Sequence, residues 1–258
     1  MDISEMRGLS YTQNFFRHPW EKTRASICRF FLNKNGKKFS HIIDIGSGDA
    51  FLLKKIEENS VANQYSAVDI AYTPEIINEI KKNDPGSLIS FYSSLKQLNI
   101  SKDKSNCILL LDVLEHCEND NELLQSIIKS DLVSPETLFI ITVPAFPFLF
   151  SKHDQNLAHY RRYTRKQLVS ICRQNKLNII SCNYFFFSLF LIRLFQFIFE
   201  KAGLYSPKNS LGAWNKGVFL SNIFSSILWL DFQVNYLLSK TGLRLPGLSC
   251  YCICKKLP

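Results

Sequence analysis

The chain lacks several features that mark whole classes of protein. It begins without the charged and then apolar leader that is typical of a secretory signal. Its eight cysteines are scattered along the chain rather than arranged as a disulfide framework. We therefore expect a reduced protein, either free in the cytoplasm or peripheral at the membrane face.

Acidic residues are also scarce. The chain has 22 Asp and Glu against 31 Lys and Arg, so its formal net charge is +9. Such an excess favours an anionic partner, which is RNA, a phospholipid surface or a phosphorylated substrate, although a lysine-rich solvated surface is the alternative. The apolar segments described below favour a membrane surface over nucleic acid.

The glycine turn after the first predicted strand lacks the third glycine of a dinucleotide fingerprint. Gly46 and Gly48 follow the strand, but Phe51 stands where glycine or alanine is required. A phenylalanine there obstructs the close approach of helix and strand that lets a pyrophosphate settle on the helix amides. Asp44 repels a diphosphate and attracts a cation. The turn therefore disfavours a nicotinamide oxidoreductase and favours S-adenosylmethionine, which is cationic and has no phosphate.

What is present is an alternation of strand and helix patterns. A chain of 258 residues allows one α/β domain with attachments or two small domains, and the alternation favours the first. The predicted strands are 40–45, 65–70, 88–92, 107–112, 137–142, 177–183 and 248–255. The predicted helices are 50–58, 74–82, 118–130 and one that starts at 165 with the capping box Thr164 to Gln167.

Acids recur at the carboxyl ends of these strands, where open α/β sheets bind ligands. Asp69 ends the second strand and is suited to accept hydrogen bonds from ribose hydroxyls. Asp112 and Glu115 follow the fourth strand, where the methionine part of the cofactor and the acceptor meet. His116, next to them, is read as part of a helix start more readily than as a chemical group.

With these three motifs at these separations, the chain resembles the class I S-adenosylmethionine-dependent methyltransferases, in the small-molecule branch with an Asp-Val-Leu-Glu-His segment. The resemblance covers roughly residues 12–182 and the last ten. It implies a Rossmann-like, doubly wound α/β fold with a seven-stranded sheet whose last strand is antiparallel. The cofactor residues that it implies are Arg24, Asp44, Gly46, Ser47, Gly48, Asp69, Ile70, Asp112 and Val113.

Arg24 enters this set through the segment His18-Pro19-Trp20-Glu21, which matches a pattern of related methyltransferases. In those relatives the segment leans over the cofactor, which implies that Arg24 holds the cofactor carboxylate. A surface arginine on an amphipathic helix is an equal alternative.

Three parts are expected along the chain. Residues 1–37 form an N-terminal helical segment, residues 38–183 and 247–258 form the cofactor-binding core, and residues 184–246 form an apolar helical insertion. Neither apolar stretch of the insertion is expected to span a bilayer, because charged residues such as Asp231 interrupt it. The insertion is expected to pack on the sheet as a buried hairpin, to cap the active site, or to lie in a membrane interface.

The loop 143–163 follows the fifth strand, beside the expected cofactor site, and is dense in polar side chains. His153, oriented by Asp154 or another carboxylate, is the first candidate for a general base, and His159 is the second. The resemblance associates the pattern of this loop with acceptor binding. The candidates for acceptor binding are Glu115, Tyr160, Arg161 and Arg162, of which one arginine is expected to pair with a carboxylate.

Cys250, Cys252 and Cys254 alternate along the last strand and so share one face. We interpret them as small core residues and predict no metal.

The sequence thus predicts a methyltransferase that acts on a small-molecule or lipid-linked acceptor, of sugar or polyprenyl type, through oxygen rather than nitrogen. An RNA methyltransferase is a rival, but Asp-Val-Leu-Glu stands where such enzymes carry an Asn- or Asp-Pro-Pro-aromatic motif. A non-catalytic, membrane-associated scaffold that binds the cofactor is a second rival. Oligomeric state and the acceptor itself are left open.

Overall fold

The computed structural model describes residues 17–35, 38–98, 106–204, 214 and 216–257. Residues 1–16 and 36–37 of the expected N-terminal segment, and 205–213 and 215 of the insertion, lie outside this set. The strands are β1 Phe39–Ile45, β2 Ala62–Val68, β3 Ile89–Tyr92, β4 Asn106–Leu111, β5 Leu138–Pro144, β6 Leu177–Phe185 and β7 Ser249–Lys256. The helices are α1 Pro19–Lys34, α2 Phe51–Glu57, α3 Pro74–Asn83, α4 Asp120–Lys129, α5 Lys152–Asn156, α6 Arg165–Gln174, α7 Phe187–Lys201 and α8 Gly217–Lys240.

One seven-stranded sheet organises the chain, in the order β3-β2-β1-β4-β5-β7-β6. Strands β1 to β5 pair in parallel, whereas β7 is antiparallel to both β5 and β6. The order reverses direction between β1 and β4, so the loops at the carboxyl ends of these two strands flank the switch point where such sheets bind ligands. The predicted fold class is confirmed.

Both faces of the sheet are covered, which is why its strands are apolar throughout rather than alternating. Ile42 belongs to one core cluster, with residues of α1, α2 and α8, while its neighbour Ile43 belongs to the other, with residues of α4 and α6. Cys250, Cys252 and Cys254 all lie in the second cluster and are fully buried, as the strand pattern predicts.

Local sequence signals set several helix starts. Thr73 caps α3 by accepting from the backbone N–H of Ile76, and Pro74 occupies the first helical position. Thr164 and Gln167 form the predicted capping box of α6. These contacts satisfy amide groups that a helix leaves without partners at its start.

The described residues of the insertion before β7 form the two helices α7 and α8. The inner side of α8 packs on α1, with Phe232 in edge contact with both Phe30 and Phe31. Small side chains let the two helices approach closely: Ser225 Oγ donates to the Pro19 carbonyl, and Thr23 Oγ1 donates to the Ser225 carbonyl. Among the described helices, α8 alone is long and apolar enough to cross a membrane. Within its apolar 18-residue stretch, 17% is buried inside the protein.

Candidate active site

The glycine turn brings bare backbone against the loop that follows β4. Gly46 and Gly48 both have positive φ, at 71° and 54°. A Cβ added at Gly46 would lie 2.7 Å from Cγ2 of Val113, which is closer than real Cβ contacts come. Glycine is therefore required at position 46 by both conformation and space.

Asp69 braces this turn from the end of β2. Its Oδ2 accepts from the Gly48 N–H at 2.9 Å, and its Oδ1 accepts from the Ala71 N–H at 2.9 Å. The side chain of Ile70, which lies between Asp69 and Ala71 in the sequence, is 96% exposed to solvent. The carboxylate predicted to bind ribose thus also fixes the backbone around the site.

Tyr72 is a part of the turn that sequence reasoning missed. Its hydroxyl donates to the Gly48 carbonyl at 2.8 Å and is also within 2.8 Å of Ser47 Oγ. Burial raises the pKa of Tyr72, so the phenol stays neutral and retains its proton for donation. A tyrosine within a helix start gives no sequence signal for this contact.

Arg24 and Asp112 meet at the end of β4. Arg24 Nη1 lies 3.1 Å from Asp112 Oδ2, and Thr142 Oγ1 donates to Asp112 Oδ1 at 2.8 Å. Asp112 has a φ of 57°, a conformation that aspartate adopts more readily than most residues. The N-terminal helix therefore does reach the site, and its arginine is not simply a surface residue.

Asp44 ends β1 beneath the turn and is 3% exposed. Burial raises its pKa to about 7, although the positive charge of Arg24 lowers it in part. Asp44, Asp69 and Asp112 thus lie at the carboxyl ends of β1, β2 and β4, a region that we call the cofactor cleft. This donor set suits a cofactor with an ammonium and a sulfonium, and the site fits S-adenosylmethionine better than a phosphate-bearing nucleotide.

Arg17 and Asp49 are a second pair that the sequence did not predict. They form an ion pair, and the Arg17 guanidinium also lies over the Phe51 ring, 4.3 Å from its centroid. Phe51, which occupies the third position of the glycine motif, therefore supports an arginine at the edge of the site.

We call the loop 143–163 the acceptor loop. Hydrogen bonds connect it directly to the segment that follows β4. The Tyr160 N–H donates to the Glu115 carbonyl at 2.8 Å, and the buried Tyr163 hydroxyl donates to Asp120 at 2.7 Å. These bonds bring the predicted acceptor residues from two segments of sequence to one place, beyond the carboxyl ends of β4 and β5.

Asp154 connects most of the polar groups of the acceptor loop. Its side chain accepts from the Ser151 N–H at 3.0 Å and from Arg162 Nε at 2.7 Å, and it lies 3.2 Å from His159 Nδ1. Burial by itself raises the pKa of Asp154, but the His159 hydrogen bond and the Arg162 charge outweigh burial and lower it. Asp154 therefore hydrogen-bonds to His159, a contact that the sequence did not predict.

The remaining acceptor candidates differ in how available they are. His153 is half-buried, and burial lowers its pKa although Asp154 opposes the shift. Arg162 is buried on Asp154, which makes it the structural arginine of the pair. Arg161 is more exposed; it donates to the Glu118 carbonyl at 2.5 Å and lies 3.5 Å from an Asp120 carboxylate oxygen. The Tyr160 side chain is 55% exposed.

Glu115 lies in the turn Leu114–His116 and is fully buried. Burial and then the nearby charge of Asp112 raise its pKa well above the usual range. One of its carboxylate oxygens, a nitrogen of His116 and a nitrogen of His159 lie within 4.8 Å of one another. His116, interpreted from sequence as a helix start, is therefore part of a polar cluster.

Comparison with known proteins bears on the family and the fold of the chain. A family model described as a methyltransferase domain matches residues 16–182. No curated protein matches the chain. The fold of the chain is similar to that of many solved structures, including the following three.

A structure of the Haloferax volcanii Trm112 methyltransferase activator with a methyltransferase has 10% identity, covers 93% of this chain and 95% of that chain, and has a TM-score of 0.52. The N-methyltransferase NodS of Bradyrhizobium japonicum, with S-adenosyl-L-homocysteine, has 14% identity, 70% and 86% coverage and a TM-score of 0.51. The plantazolicin methyltransferase BamL, with a substrate analogue and S-adenosylhomocysteine, has 15% identity, 92% and 86% coverage and a TM-score of 0.51.

The family match extends from α1 through most of β6 and so contains every strand that borders the cofactor cleft. The sheet order and the antiparallel β7 agree with that match. The chain belongs to the class I S-adenosylmethionine-dependent methyltransferase domain family, and it is an enzyme of that kind.

Proposed function

We propose that the protein methylates a hydroxyl oxygen of a small acceptor carried on a lipid, of sugar or polyprenyl type, and does so at an anionic membrane surface. The observation that carries this proposal is an exposed apolar surface on α7 and α8 next to the acceptor loop. Monomeric soluble proteins rarely expose large contiguous apolar patches without a binding role.

We call this feature the apolar surface and define it by large side chains that are roughly half exposed or more. Single exposed apolar residues need no explanation, but these residues come from two adjacent helices and one turn beside them. Its members are Phe148, Ile192, Phe195, Ile198, Phe199, Val218, Phe219, Phe224, Ile227, Leu230, Val234 and Leu237.

The apolar surface is continuous with the acceptor loop. The Phe148 ring contacts the Phe197 ring at a centroid distance of 6.1 Å, and the Phe146 ring contacts the Phe190 ring at 5.1 Å. Both contacts join residues 146–148, which precede the loop histidines, to α7. A lipid chain lying on α7 would therefore lead its head group toward His153 and His159.

Exposed basic residues border the apolar surface at the helix ends, and their positive charge suits anionic lipid head groups. The two acids of α7 and α8 are both engaged within the protein. Glu200 pairs with Arg193 at 2.8 Å, and Asp231 accepts from the backbone N–H groups of Phe187 and Ser188. The exposed basic residues are Lys201, Lys216, Lys240 and Arg244.

The position of Asp231 argues for a helix that lies in the interface rather than one that crosses the bilayer. A carboxylate at the centre of a spanning helix is costly, whereas here it caps the start of α7, where free amides and the helix dipole favour an anion.

S-adenosylmethionine supplies a methyl group made electrophilic by its sulfonium. The acceptor oxygen forms the new bond to the methyl carbon while the carbon–sulfur bond breaks and its electron pair goes to sulfur. The hydroxyl proton must leave, and His153 accepts it, because a lowered pKa keeps this imidazole neutral near pH 7. The loop's main contribution is to hold acceptor and methyl group in line.

Incubation with radiolabelled methyl donor and with separated lipid, RNA and water-soluble extracts tests the proposal. Label is expected in the lipid fraction, and mass spectrometry of the product is expected to locate the methyl group on oxygen. Label only in RNA, only in a water-soluble acceptor, or on nitrogen would contradict it.

A further inference from the structure

Glu115 has a buried carboxyl group whose two oxygens lack a hydrogen-bond partner among the described residues. Its side chain is fully buried. A buried polar group without a partner is unfavourable, and a carboxylate is worse, because its charge is removed from water. This arrangement calls for a positively charged or donating ligand at these oxygens.

Two imidazoles adjoin the carboxylate. The ligand atoms of Glu115, His116 and His159 lie within 4.8 Å of one another. The two imidazole rings meet edge to face, with centroids 4.6 Å apart and planes at 86°. Two imidazole nitrogens and one carboxylate oxygen that lie this close together form the donor set of a metal site with three protein ligands.

The backbone fixes this convergence. Glu115 and His116 lie in the turn after β4, while His159 comes from the acceptor loop, and the Tyr160 N–H bond to the Glu115 carbonyl holds the two segments together at 2.8 Å. The His159 N–H also donates to the Asp154 carbonyl at 2.9 Å. The three side chains are thus held by ordered backbone rather than by chance proximity.

The second nitrogen of His159 has the partner that a metal-binding histidine requires. Nδ1 of His159 lies 3.2 Å from Asp154 Oδ1, which leaves Nε2 to face a ligand. Histidines that bind metals usually donate their other nitrogen to a carboxylate or carbonyl, which orients the ring and makes the binding nitrogen more basic. Arg162 in turn holds Asp154 in place at 2.7 Å.

We propose that Glu115, His116 and His159 bind one divalent first-row transition-metal ion. Three protein ligands leave coordination positions open, as in metal sites that also bind substrate. The cluster lies beyond the carboxyl ends of β4 and β5, where the acceptor approaches. The action of the ion on the acceptor rests on the proposed O-methylation. The ion binds the acceptor hydroxyl, lowers the pKa of that hydroxyl and orients its oxygen toward the methyl group.

A cluster of thiols requires a selective probe. Cys172, Cys252 and Cys254 also lie within 4.8 Å of one another, and soft ions such as Zn²⁺ could bind there. Mn²⁺ prefers oxygen and nitrogen ligands, so its binding reports on the glutamate and histidine cluster rather than on the cysteines.

The test is a titration of the chelator-treated full chain with Mn²⁺, followed by the electron paramagnetic resonance signal of the free aqueous ion. The wild type is expected to bind one Mn²⁺ per chain. Glu115→Gln keeps the shape but removes the negative ligand, and His116→Asn removes one nitrogen donor, so each is expected to weaken binding by about 100-fold or more. Asp154→Asn, which leaves the ligands in place, is expected to weaken it by about 10-fold.

Glu118→Gln is the matched control, because Glu118 is an exposed acid on the same loop and outside the cluster. It is expected to bind Mn²⁺ like the wild type. Thermal unfolding gives a second readout, since Mn²⁺ is expected to raise the Tm of the wild type and of Glu118→Gln but not that of Glu115→Gln.

An absence of Mn²⁺ binding, or equal binding by wild type and Glu115→Gln, would overturn the metal site. Specific binding combined with methyl transfer that is insensitive to removal of the ion would overturn its action on the acceptor. Specific Mn²⁺ binding by a protein that methylates no lipid would count against the proposed function and would leave the metal site standing.

Discussion

The Arg24 guanidinium lies 3.1 Å from the Asp112 carboxylate, and this ion pair joins helix α1 to the carboxyl end of β4. Both residues are only partly exposed, and Thr142 holds the second oxygen of Asp112. Because α1 also packs on α8, the same helix contacts both the cofactor cleft and the insertion. The cleft and the apolar surface are therefore linked by one rigid element.

Removing the charge of Asp69 is expected to weaken binding of S-adenosylmethionine. Asp69→Asn loses a charged acceptor that also holds the Gly48 amide, and the loss of such a bond corresponds to about 10- to 100-fold in Kd. Isothermal titration calorimetry measures this change. Glu79→Gln, on an exposed position of α3, is the control, and equal affinities for the two variants would show that Asp69 does not act on the cofactor.

Gly46→Ala is expected to destabilise the fold by about 2–4 kcal/mol and to abolish cofactor binding, because it combines a strained φ with a steric clash. The added Cβ meets Val113 at 2.7 Å. The double variant with Val113→Ala removes the clash but not the strain, so urea denaturation is expected to show partial recovery of stability. Full recovery, or none, would contradict this separation of the two effects.

Asp154→Asn is expected to lower stability at pH 7 by about 3–5 kcal/mol, as for breaking a buried ion pair. The folded state depresses the pKa of Asp154, so its stabilising contribution is fully present above the unfolded value and is lost as pH falls through the folded value. The difference between variant and wild type is therefore expected to shrink below about pH 4. Urea denaturation at several pH values measures it.

A constant difference between wild type and Asp154→Asn from pH 7 down to acid would show that the contribution is not electrostatic. Asp84→Asn serves as the control, because its partner Lys54 is a more exposed lysine and surface pairs contribute little.

His153→Gln is expected to lower kcat by about 10²- to 10⁴-fold, the usual contribution of a general base, and to leave cofactor affinity unchanged. Single-turnover methyl transfer and calorimetry separate the two quantities. Lys152→Gln, an exposed neighbour on α5, is the control with wild-type turnover. Full activity of His153→Gln would exclude His153 as the base.

The apolar surface is expected to bind vesicles that contain anionic lipid. Flotation at low salt is expected for the wild type and to be lost in Phe219→Ser/Leu230→Ser, whose side chains are 76% and 64% exposed. Leu88→Ser is the matched control, since Leu88 is 72% exposed but lies far along the chain, at the start of β3. Failure of the wild type to float, or flotation of both variants alike, would contradict the proposal.

Much of the fold was accessible from sequence, because it depends on local patterns. Buried apolar runs gave the strands to within a few residues, and Thr73 and Thr164 gave two helix starts, since capping contacts span only three residues. The antiparallel last strand came instead from the family resemblance.

The candidate site was only partly accessible. The glycines, Asp69 and Asp112 lie at predictable ends of strands, but the Arg17–Asp49 pair and the Tyr72 hydroxyl bonds join residues without a local signal. The contact between Asp154 and His159 was not predicted, for the same reason: His159 returns to Asp154 five residues later through the turn that follows α5.

The sequence by itself determined an α/β chain with a phosphate-free, cationic cofactor, because strand hydrophobicity, turn glycines and acids at strand ends are local properties. Only the tertiary structure decided that Glu115, His116 and His159 form one cluster, and that α7 and α8 expose apolar side chains. Both features depend on contacts between segments that are distant in sequence. Side-chain packing and backbone hydrogen bonds, such as the one from the Tyr160 N–H to the Glu115 carbonyl, bring these segments together.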